Sequence, residues 1–204
     1  MIEASFDTQL LKDSTVVMSS LSFVPNDFAA IETLIERLSM KKVGSMFCSN
    51  LQPVVFANSS DSACDVYQNP EAFPGITVLC LRTRVLGMTD FMTQLRQFFA
   101  AAGASLFMLS SIASLFCSLH DGCPADRLKT RGVEIALNGN TIPALKDEED
   151  LTGCGLLKYV VDCDADRSIK CIAVTSLGQD IQGVNLLVDA TLSALSVGSE
   201  SRNA

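Results

Sequence analysis

The sequence predicts an α/β protein with a mostly parallel β-sheet between layers of helices, and two patterns in the chain support this prediction. Short and nearly continuous apolar runs are typical of strands that are covered on both faces. Such runs lie at 15–18, 43–48, 76–81, 105–109 and 171–176. Segments with apolar residues at three- and four-residue spacing separate several of them, as amphipathic helices do. Strands and helices that alternate along a chain usually form a three-layer fold of this class.

Helical periodicity is clearest in three segments, which are 27–39, 88–102 and 181–195. Pro25-Asn26-Asp27 is a start signal for the first helix. Thr89 is the expected N-cap of the second helix, and Gly103 is expected to end it in the left-handed conformation. The apolar stripe of the third begins at Ile181, and a further short helix is expected to open near Gly155. Because each helix has one apolar face, each needs the sheet as a partner.

Two parts of the chain have weaker patterns. Residues 54–70 are expected to form a small hairpin at an edge of the sheet. Residues 120–154 are interpreted as an irregular insertion, with loops around one short strand at 133–137. The densest basic group is assigned to a loop, and it consists of Arg127, Lys129 and Arg131. With no repeat and no sharp change of composition, we expect one domain over 1–204, with a frayed tail at 199–204.

The charge balance argues against nucleic acid and membranes as partners. The chain of 204 residues has a formal net charge of −8 and an isoelectric point near 4.6, and its basic residues form no stripe. The run 98–119 has no charged residue and is long enough for a membrane span. Gly103 and several serines interrupt it, so we expect the end of a helix followed by a buried strand.

The cysteines and the first residues favour a reducing compartment. The eight cysteines are spread along the chain, and Cys80 and Cys171 lie inside apolar runs, where cysteine behaves as a small hydrophobe. Residues 1–4 lack the basic segment and apolar stretch of a secretory signal. We therefore expect reduced thiols and a cytoplasmic location, with the nucleus as an additional one.

Motifs that could carry chemistry are present, but the sequence argues against each of them. A set with zinc-like spacing consists of Cys117, His120 and Cys123. No companion cysteine pair supplies a fourth ligand, which leaves the question of a metal open. His120 is the only histidine, and no nucleophile elbow accompanies it. Gly153-Cys154-Gly155 is like a phosphate-binding turn, but Lys158 stands where another glycine is needed, and the acidic run 147–150 precedes it. We expect no catalytic residue and no cofactor, and a protein that works by binding other proteins.

Several segments together carry a resemblance to a known family. In Leu38–Val55, the most specific segment, a helix ends in a leucine–methionine–lysine–glycine pattern, and a strand and a proline-containing turn follow. Further segments have the order of strand, helix and serine-ended strand over 78–111, the glycine-rich opening Gly153–Lys158, and a last strand and helix over 171–195. Over most of 13–195 the chain thus resembles the proteasome assembly chaperone family, and within it the chaperone 2 branch.

The resemblance implies a fold like that of purine nucleoside phosphorylases, without their active site or catalysis. It also implies an obligate heterodimer with proteasome assembly chaperone 1, which holds proteasome α-subunits during α-ring assembly of the 20S core particle and prevents off-pathway ring dimers. Apolar and charged positions near the first helix and in 120–150 are the expected contact residues.

The chain departs from the family in two places. Val24-Pro25-Asn26 keeps only the asparagine of a glycine–asparagine turn, and 201–204 lack the hydrophobic–tyrosine–any tail of some members. We therefore expect the partner to supply any tail that inserts into the α-ring.

Two alternatives remain at this point. The chain could be an enzyme of nucleoside phosphorylase or hydrolase type on the same fold, which requires a polar cleft near the carboxyl ends of the strands. It could also be a homomeric relative of the chaperones, which requires a symmetric dimer.

Overall fold

The computed structural model of the chain describes residues 2–53, 61–113, 124–146, 151–164 and 168–200, the last five by their backbone alone. The chain divides into two compact units. The first consists of Met1–Ser19 and Ile31–Phe107, and the second of Ser20–Ala30 and Met108–Ala204. One helix and one strand pass from one unit to the other, and the expectation of a single domain over 1–204 stays a prediction.

The first unit contains most of the sheet. Its elements in chain order are β1 (Ile2–Ala4), a 3-10 helix (Thr8–Leu11), β2 (Thr15–Ser19), the later turns of α1 (Asn26–Arg37), β3 (Lys41–Cys48), β4 (Cys64–Gln68), β5 (Ile76–Leu81), α2 (Met88–Ala101) and the start of β6 (Ser105–Ala113). The strand order is β1-β3-β4-β5-β2-β6. β2 pairs with β5 in parallel, whereas β1, β3, β4 and β5 pair antiparallel in that order.

The second unit continues the strand order as β6-β10-β7. Its elements are the first turn of α1, the rest of β6, a 3-10 helix (Pro124–Arg127), β7 (Leu128–Arg131), the hairpin β8 (Ala136–Leu137) and β9 (Asn140–Thr141), α3 (Leu156–Cys163), β10 (Lys170–Ser176) and α4 (Ile181–Glu200). β7 pairs antiparallel with β10. The structure therefore confirms the predicted α/β class, as a mixed sheet of eight strands flanked by four α-helices.

The predicted edge hairpin at 54–70 is wrong in its position, because β4 lies inside the sheet between β3 and β5. Residues 54–60 lie outside the described residues. The strand carries Asp65, whose side chain is buried, and an unpaired buried carboxylate would not be tolerated there. Lys42 Nζ and Arg82 Nη1 each lie 2.6 Å from one of its oxygens, and Ser45 and Ser62 donate further hydrogen bonds. These partners allow a charged residue in an interior strand.

The pairing of Asp65 predicts a pH dependence of stability. Burial by itself would raise the pKa of Asp65, but hydrogen bonds from Lys42, Ser62 and Ser45 outweigh it and hold the pKa below the ordinary 3.8. The stabilisation is therefore present above pH 3.8 and is lost as the pH falls through the folded-state pKa. We expect Asp65→Asn to be less stable than the wild type at pH 7, by a margin that shrinks at low pH. Urea unfolding at several pH values measures this, and Glu71→Gln, on an exposed side chain, is the control. A margin that is independent of pH would contradict the assignment.

The ends of α2 confirm one prediction and correct another. Gly103 has φ +73 and ends the helix as expected. The N-cap is Gly87, with φ +66, and Thr89 lies inside the first turn of the helix. A left-handed backbone at this position favours glycine, so the conformation required there overrides the preference for a threonine cap.

The second unit corrects three further predictions. Residues 128–131 were expected in a loop but form the strand β7, because the Arg131 guanidinium has a buried partner. Of the strand predicted at 133–137, only 136–137 are in a strand, in a hairpin whose turn residues Asn138 and Gly139 have positive φ. Ile181 was expected on the buried stripe of α4, but its side chain is 72% exposed. Among the described helices, none has the length and apolar character needed to cross a membrane.

Candidate functional site

Three loops of the second unit form the candidate site. Residues 20–25 follow β2, residues 151–155 precede α3, and residues 177–180 join β10 to α4. Asp180 is the only charged residue in these loops, although 19% of the chain is charged. Depletion of charge together with exposed apolar side chains is characteristic of the core of a protein interface.

Two of these loops and the first residue of α4 expose three large apolar side chains. Phe23 is 85% exposed and Leu177 is 54% exposed, and Ile181 follows at the start of α4. We refer to Phe23, Leu177 and Ile181 as the apolar surface. Exposed apolar side chains on loops with well-defined hydrogen bonds are candidates for contact with another molecule.

A polar cluster beneath the first loop holds Phe23 in place. Its members are Ser20, Ser22, Asp27, Ser110 and Ser111, which we call the serine–aspartate cluster. Ser20 Oγ lies 2.7 Å from Ser22 Oγ and 2.8 Å from Ser110 Oγ. The backbone amide of Ser111 donates to Ser22 Oγ, and the amide of Asp27 donates to Ser111 Oγ. The loop after β2, the end of β6 and the start of α1 are therefore tied to one another.

Asp27 is the acidic group of the cluster. Its Oδ2 accepts hydrogen bonds from Ser20 Oγ and from the Ser22 amide, each at 3.2 Å. Its Oδ1 is buried and makes no hydrogen bond with any described residue. Burial raises the pKa of Asp27 above 3.8, and the hydrogen bonds from Ser22 and Ser20 offset only part of that effect.

The glycine-rich turn before α3 packs on the same loop. The amide of Phe23 donates to Gly153 O, and the amide of Leu156 donates to Ser20 O, both at 2.7 Å. Gly155 has φ +55, and a Cβ on it would overlap Ser20 O. In a phosphate site the backbone amides at the helix N-terminus would point to the ligand. Here the Leu156 amide is bonded to the protein, which explains the Gly153-Cys154-Gly155 motif as a close approach of two backbones.

The third loop is fixed by the start of α1. Asn26 Nδ2 donates to Gly178 O at 3.2 Å, and the Asp180 amide donates to Asn26 Oδ1 at 2.9 Å. Asp180 is paired with Arg127 at 2.8 Å and also accepts from Ser176 Oγ. Burial by itself would raise the pKa of Asp180, but bonds from Ser176, the Gly183 amide and Arg127 hold the pKa below 3.8. The apolar surface thus stands on loops with defined positions.

The expected contact residues are only partly in this site. The start of the first helix contributes through Asn26 and Asp27, as expected for its vicinity. The zinc-like set Cys117, His120 and Cys123 and the acidic run 147–150 lie outside the described residues. Sequence reasoning missed Phe23. The one indication in the sequence was that Phe23 is a single aromatic residue in a short loop that contains serines and a proline.

The enzyme alternative requires a polar cleft with side chains that are free to contact a substrate. The cluster does lie at the carboxyl ends of β2 and β6, but its serine and aspartate side chains are bonded to one another.

The first unit has its own exposed apolar side chains, which are Leu10, Phe47, Leu86 and Met88. Asn50 Nδ2 donates to Leu86 O, and the Leu86 amide donates to Asn50 O, so the loops after β3 and β5 are joined. Exposed charges accompany these side chains, because Arg84 precedes Leu86 and Glu3 lies opposite Phe47 in the β1–β3 pair.

Comparisons with known proteins find similar structures but no similar sequence. No family model matches the chain, and no curated protein matches it. The structure of Pyrococcus furiosus PbaA, an archaeal homolog of proteasome-assembly chaperone, is similar with a TM-score of 0.69 at 10% identity, over 96% of this chain and 86% of PbaA.

Two further solved structures agree with this result. Pyrococcus furiosus PbaB, an archaeal proteasome activator, has a TM-score of 0.62 at 15% identity, over 99% of this chain and 93% of PbaB. A Mycobacterium tuberculosis proteasome-assembly chaperone homologue has a TM-score of 0.53 at 10% identity, over 92% of this chain and 91% of its own. At such low identities the likeness establishes the fold alone.

Proposed function

We propose that this chain is a proteasome assembly chaperone of the chaperone 2 branch. In this proposal it forms a heterodimer with proteasome assembly chaperone 1, and the pair assists assembly of the α-ring of the 20S core particle and prevents its off-pathway dimerisation. It acts in the cytoplasm and the nucleus. The observation that carries the proposal is the apolar surface, on a fold whose solved examples include proteasome-assembly chaperone homologues.

The chemistry of the apolar surface favours a permanent partner. Obligate interfaces are more apolar than transient ones and are poor in charge at their centre. The three loops contain one charged residue, Asp180, which is paired with Arg127, whereas the exposed residues Arg84 and Glu3 lie near exposed apolar side chains of the first unit. We therefore assign the second subunit of the heterodimer to the apolar surface.

The apolar surface also has the rigidity that tight binding requires. Side chains that are held in position before binding lose little conformational entropy when the complex forms. The backbone of the Phe23 loop is bonded to Gly153, and the start of α4 is bonded to Asn26 through Asp180. Phe23 and Ile181 are therefore the expected anchors, because large side chains near the centre of an interface dominate its binding energy.

A double substitution tests this assignment. We expect Phe23→Glu with Ile181→Glu to weaken the heterodimer with proteasome assembly chaperone 1 at least about 30-fold, because each charge must be desolvated in the interface. The measurement is the dissociation constant of the purified subunits, by titration calorimetry. Leu10→Glu is the matched control, since Leu10 is 46% exposed and lies in the first unit.

The outcomes separate the surface from the function. An unchanged dissociation constant for the double variant would place the interface elsewhere while leaving the heterodimer intact. A wild-type chain that stays monomeric in native mass spectrometry and does not bind proteasome assembly chaperone 1 would refute the proposed heterodimer itself. A symmetric dimer of this chain alone would favour the homomeric alternative.

A further inference from the structure

Three serines of the serine–aspartate cluster, Ser20, Ser22 and Ser110, have more oxygen–oxygen contacts with one another and with Asp27 than their three hydroxyl groups can serve as separate hydrogen bonds. Ser20, Ser22 and Ser110 make three contacts with one another, at 2.7, 2.8 and 3.1 Å, and Ser20 makes a fourth with Asp27 Oδ2 at 3.2 Å. A serine hydroxyl has one hydrogen, so three hydroxyls supply hydrogens for three of these four contacts.

No backbone amide of the cluster supplies a hydrogen to the fourth contact. The Ser22 amide is used at Asp27 Oδ2, the Ser111 amide at Ser22 Oγ, and the Asp27 amide at Ser111 Oγ. The Ser111 hydroxyl takes part in none of the four contacts, so a protonated Asp27 carboxyl is the one group at these contacts that can provide another hydrogen, since it donates as well as accepts. With that hydrogen between Asp27 and Ser20, all four contacts are hydrogen bonds.

Among the described residues, few groups around Asp27 would keep it ionised. The segments that contact it, 20–26 and 108–113, carry no other titratable side chain, and the adjoining turn 151–155 contributes only the thiol of Cys154. The nearest ion pair tied to the start of α1 is Asp180 with Arg127, and their charges offset each other. Hydrogen bonds from Ser22, Ser20 and the Phe28 amide and the N-terminus of α1 favour a carboxylate, and burial of Asp27 outweighs them.

We propose that the folded protein keeps a proton on Asp27 at pH values where an exposed aspartate has already lost it, that this hydrogen completes the serine–aspartate cluster, and that its loss loosens the loop that presents Phe23. The consequence for binding rests on the function proposed above. Removal of the proton from Asp27 leaves the buried carboxylate with too few partners, so the loop shifts and the apolar surface is no longer held for the partner. The heterodimer then weakens as the pH rises.

The proton on Asp27 is tested without any partner. The carboxyl carbon of Asp27 is followed by carbon-13 NMR from pH 3 to pH 9, with Asp27→Asn used to assign the signal. We expect a titration midpoint above the ordinary value of about 3.9. A midpoint at or below that value would overturn the proposal, because Asp27 would then be an ionised cap of α1.

Thermal unfolding gives an independent test with the same variant. Asparagine keeps the donor and does not ionise, so it imitates the protonated acid. A raised folded-state pKa destabilises the wild type as the pH rises, so the melting temperature of Asp27→Asn relative to the wild type is expected to increase from pH 4 to pH 8. A decrease over the same range would contradict the proposal. Asp7→Asn, at an exposed cap of the first 3-10 helix, is the matched control.

The loop itself provides the last measurement. We expect the side-chain NMR signals of Phe23 to change with the midpoint found for Asp27 in the wild type, and to stay constant in Asp27→Asn. If the Phe23 signals of the wild type do not change as Asp27 titrates, the proposed coupling between the proton and the loop is refuted. Because none of these measurements uses proteasome assembly chaperone 1, they decide the state of Asp27 even where the proposed heterodimer fails. Calorimetry with that partner at each pH then tests the effect on binding. If the proton and the loop are coupled, the affinity is expected to fall with rising pH in the wild type but not in Asp27→Asn.

Discussion

Replacement of Gly155 by alanine is expected to destabilise the protein by about 3–5 kcal/mol, from left-handed backbone strain and from overpacking against a fixed neighbour. The residue has φ +55, and a Cβ would overlap Ser20 O and lie 2.6 Å from Leu21 O. Both atoms belong to the backbone, so no side-chain rotation relieves the overlap. Because the total stability of a domain is about 5–15 kcal/mol, the variant is expected to be largely unfolded under mild denaturing conditions.

Two other glycines separate strain from overlap. Gly139 has φ +80 with nothing within 4 Å of a Cβ, so Gly139→Ala is expected to cost only the strain of about 1 kcal/mol. Gly178 has open space and no positive φ, so Gly178→Ala is expected to be neutral or slightly stabilising. Urea unfolding of the three variants measures the order. Equal losses for Gly155→Ala and Gly139→Ala would mean that the contact with Ser20 is not a constraint.

Replacement of Arg131 by methionine is expected to cost about 3–5 kcal/mol, because it breaks a buried ion pair by removing the cation. Arg131 Nη1 lies 3.0 Å from Asp164 Oδ2, and the two side chains are 5% and 0% exposed. The guanidinium also donates to Asp164 O, which ties β7 to the end of α3. The Ser168 hydroxyl and the Ile169 amide also donate to Asp164, and neither group carries a charge.

An exposed pair in the same unit provides the matched control. Lys158 Nζ lies 3.6 Å from Asp162 Oδ2 in α3, and both side chains are more than half exposed. Lys158→Met is expected to change the free energy of unfolding by less than about 1 kcal/mol. Asp164→Asn in the Arg131→Met background is expected to recover part of the loss, since it removes the uncompensated charge. No recovery would indicate that lost packing of the arginine stem, and not the buried charge, explains the cost.

The serine–aspartate cluster illustrates why the candidate site was only partly predictable. Asp27 fitted a helix start signal, and the serines at 110–111 fitted the end of a strand, so each had a sufficient local explanation. Their hydrogen bonds join residues up to 90 positions apart in the sequence, and local sequence patterns do not predict contacts between such distant residues. Phe23 was missed for the same reason, because the exposure of a loop side chain depends on the loops packed around it.

The sequence by itself determined the α/β class, the strands near 15–18, 43–48, 76–81 and 171–176, and the approximate helix bounds. These features follow from hydrophobic periodicity, which is a property of neighbouring residues. The tertiary structure alone decided that β4 lies inside the sheet and that 128–131 form a strand, because buried ion pairs offset the desolvation of Asp65 and Arg131. It also decided which apolar residues remain outside, and so placed Phe23, Leu177 and Ile181 on a surface that water disfavours and a partner protein would cover.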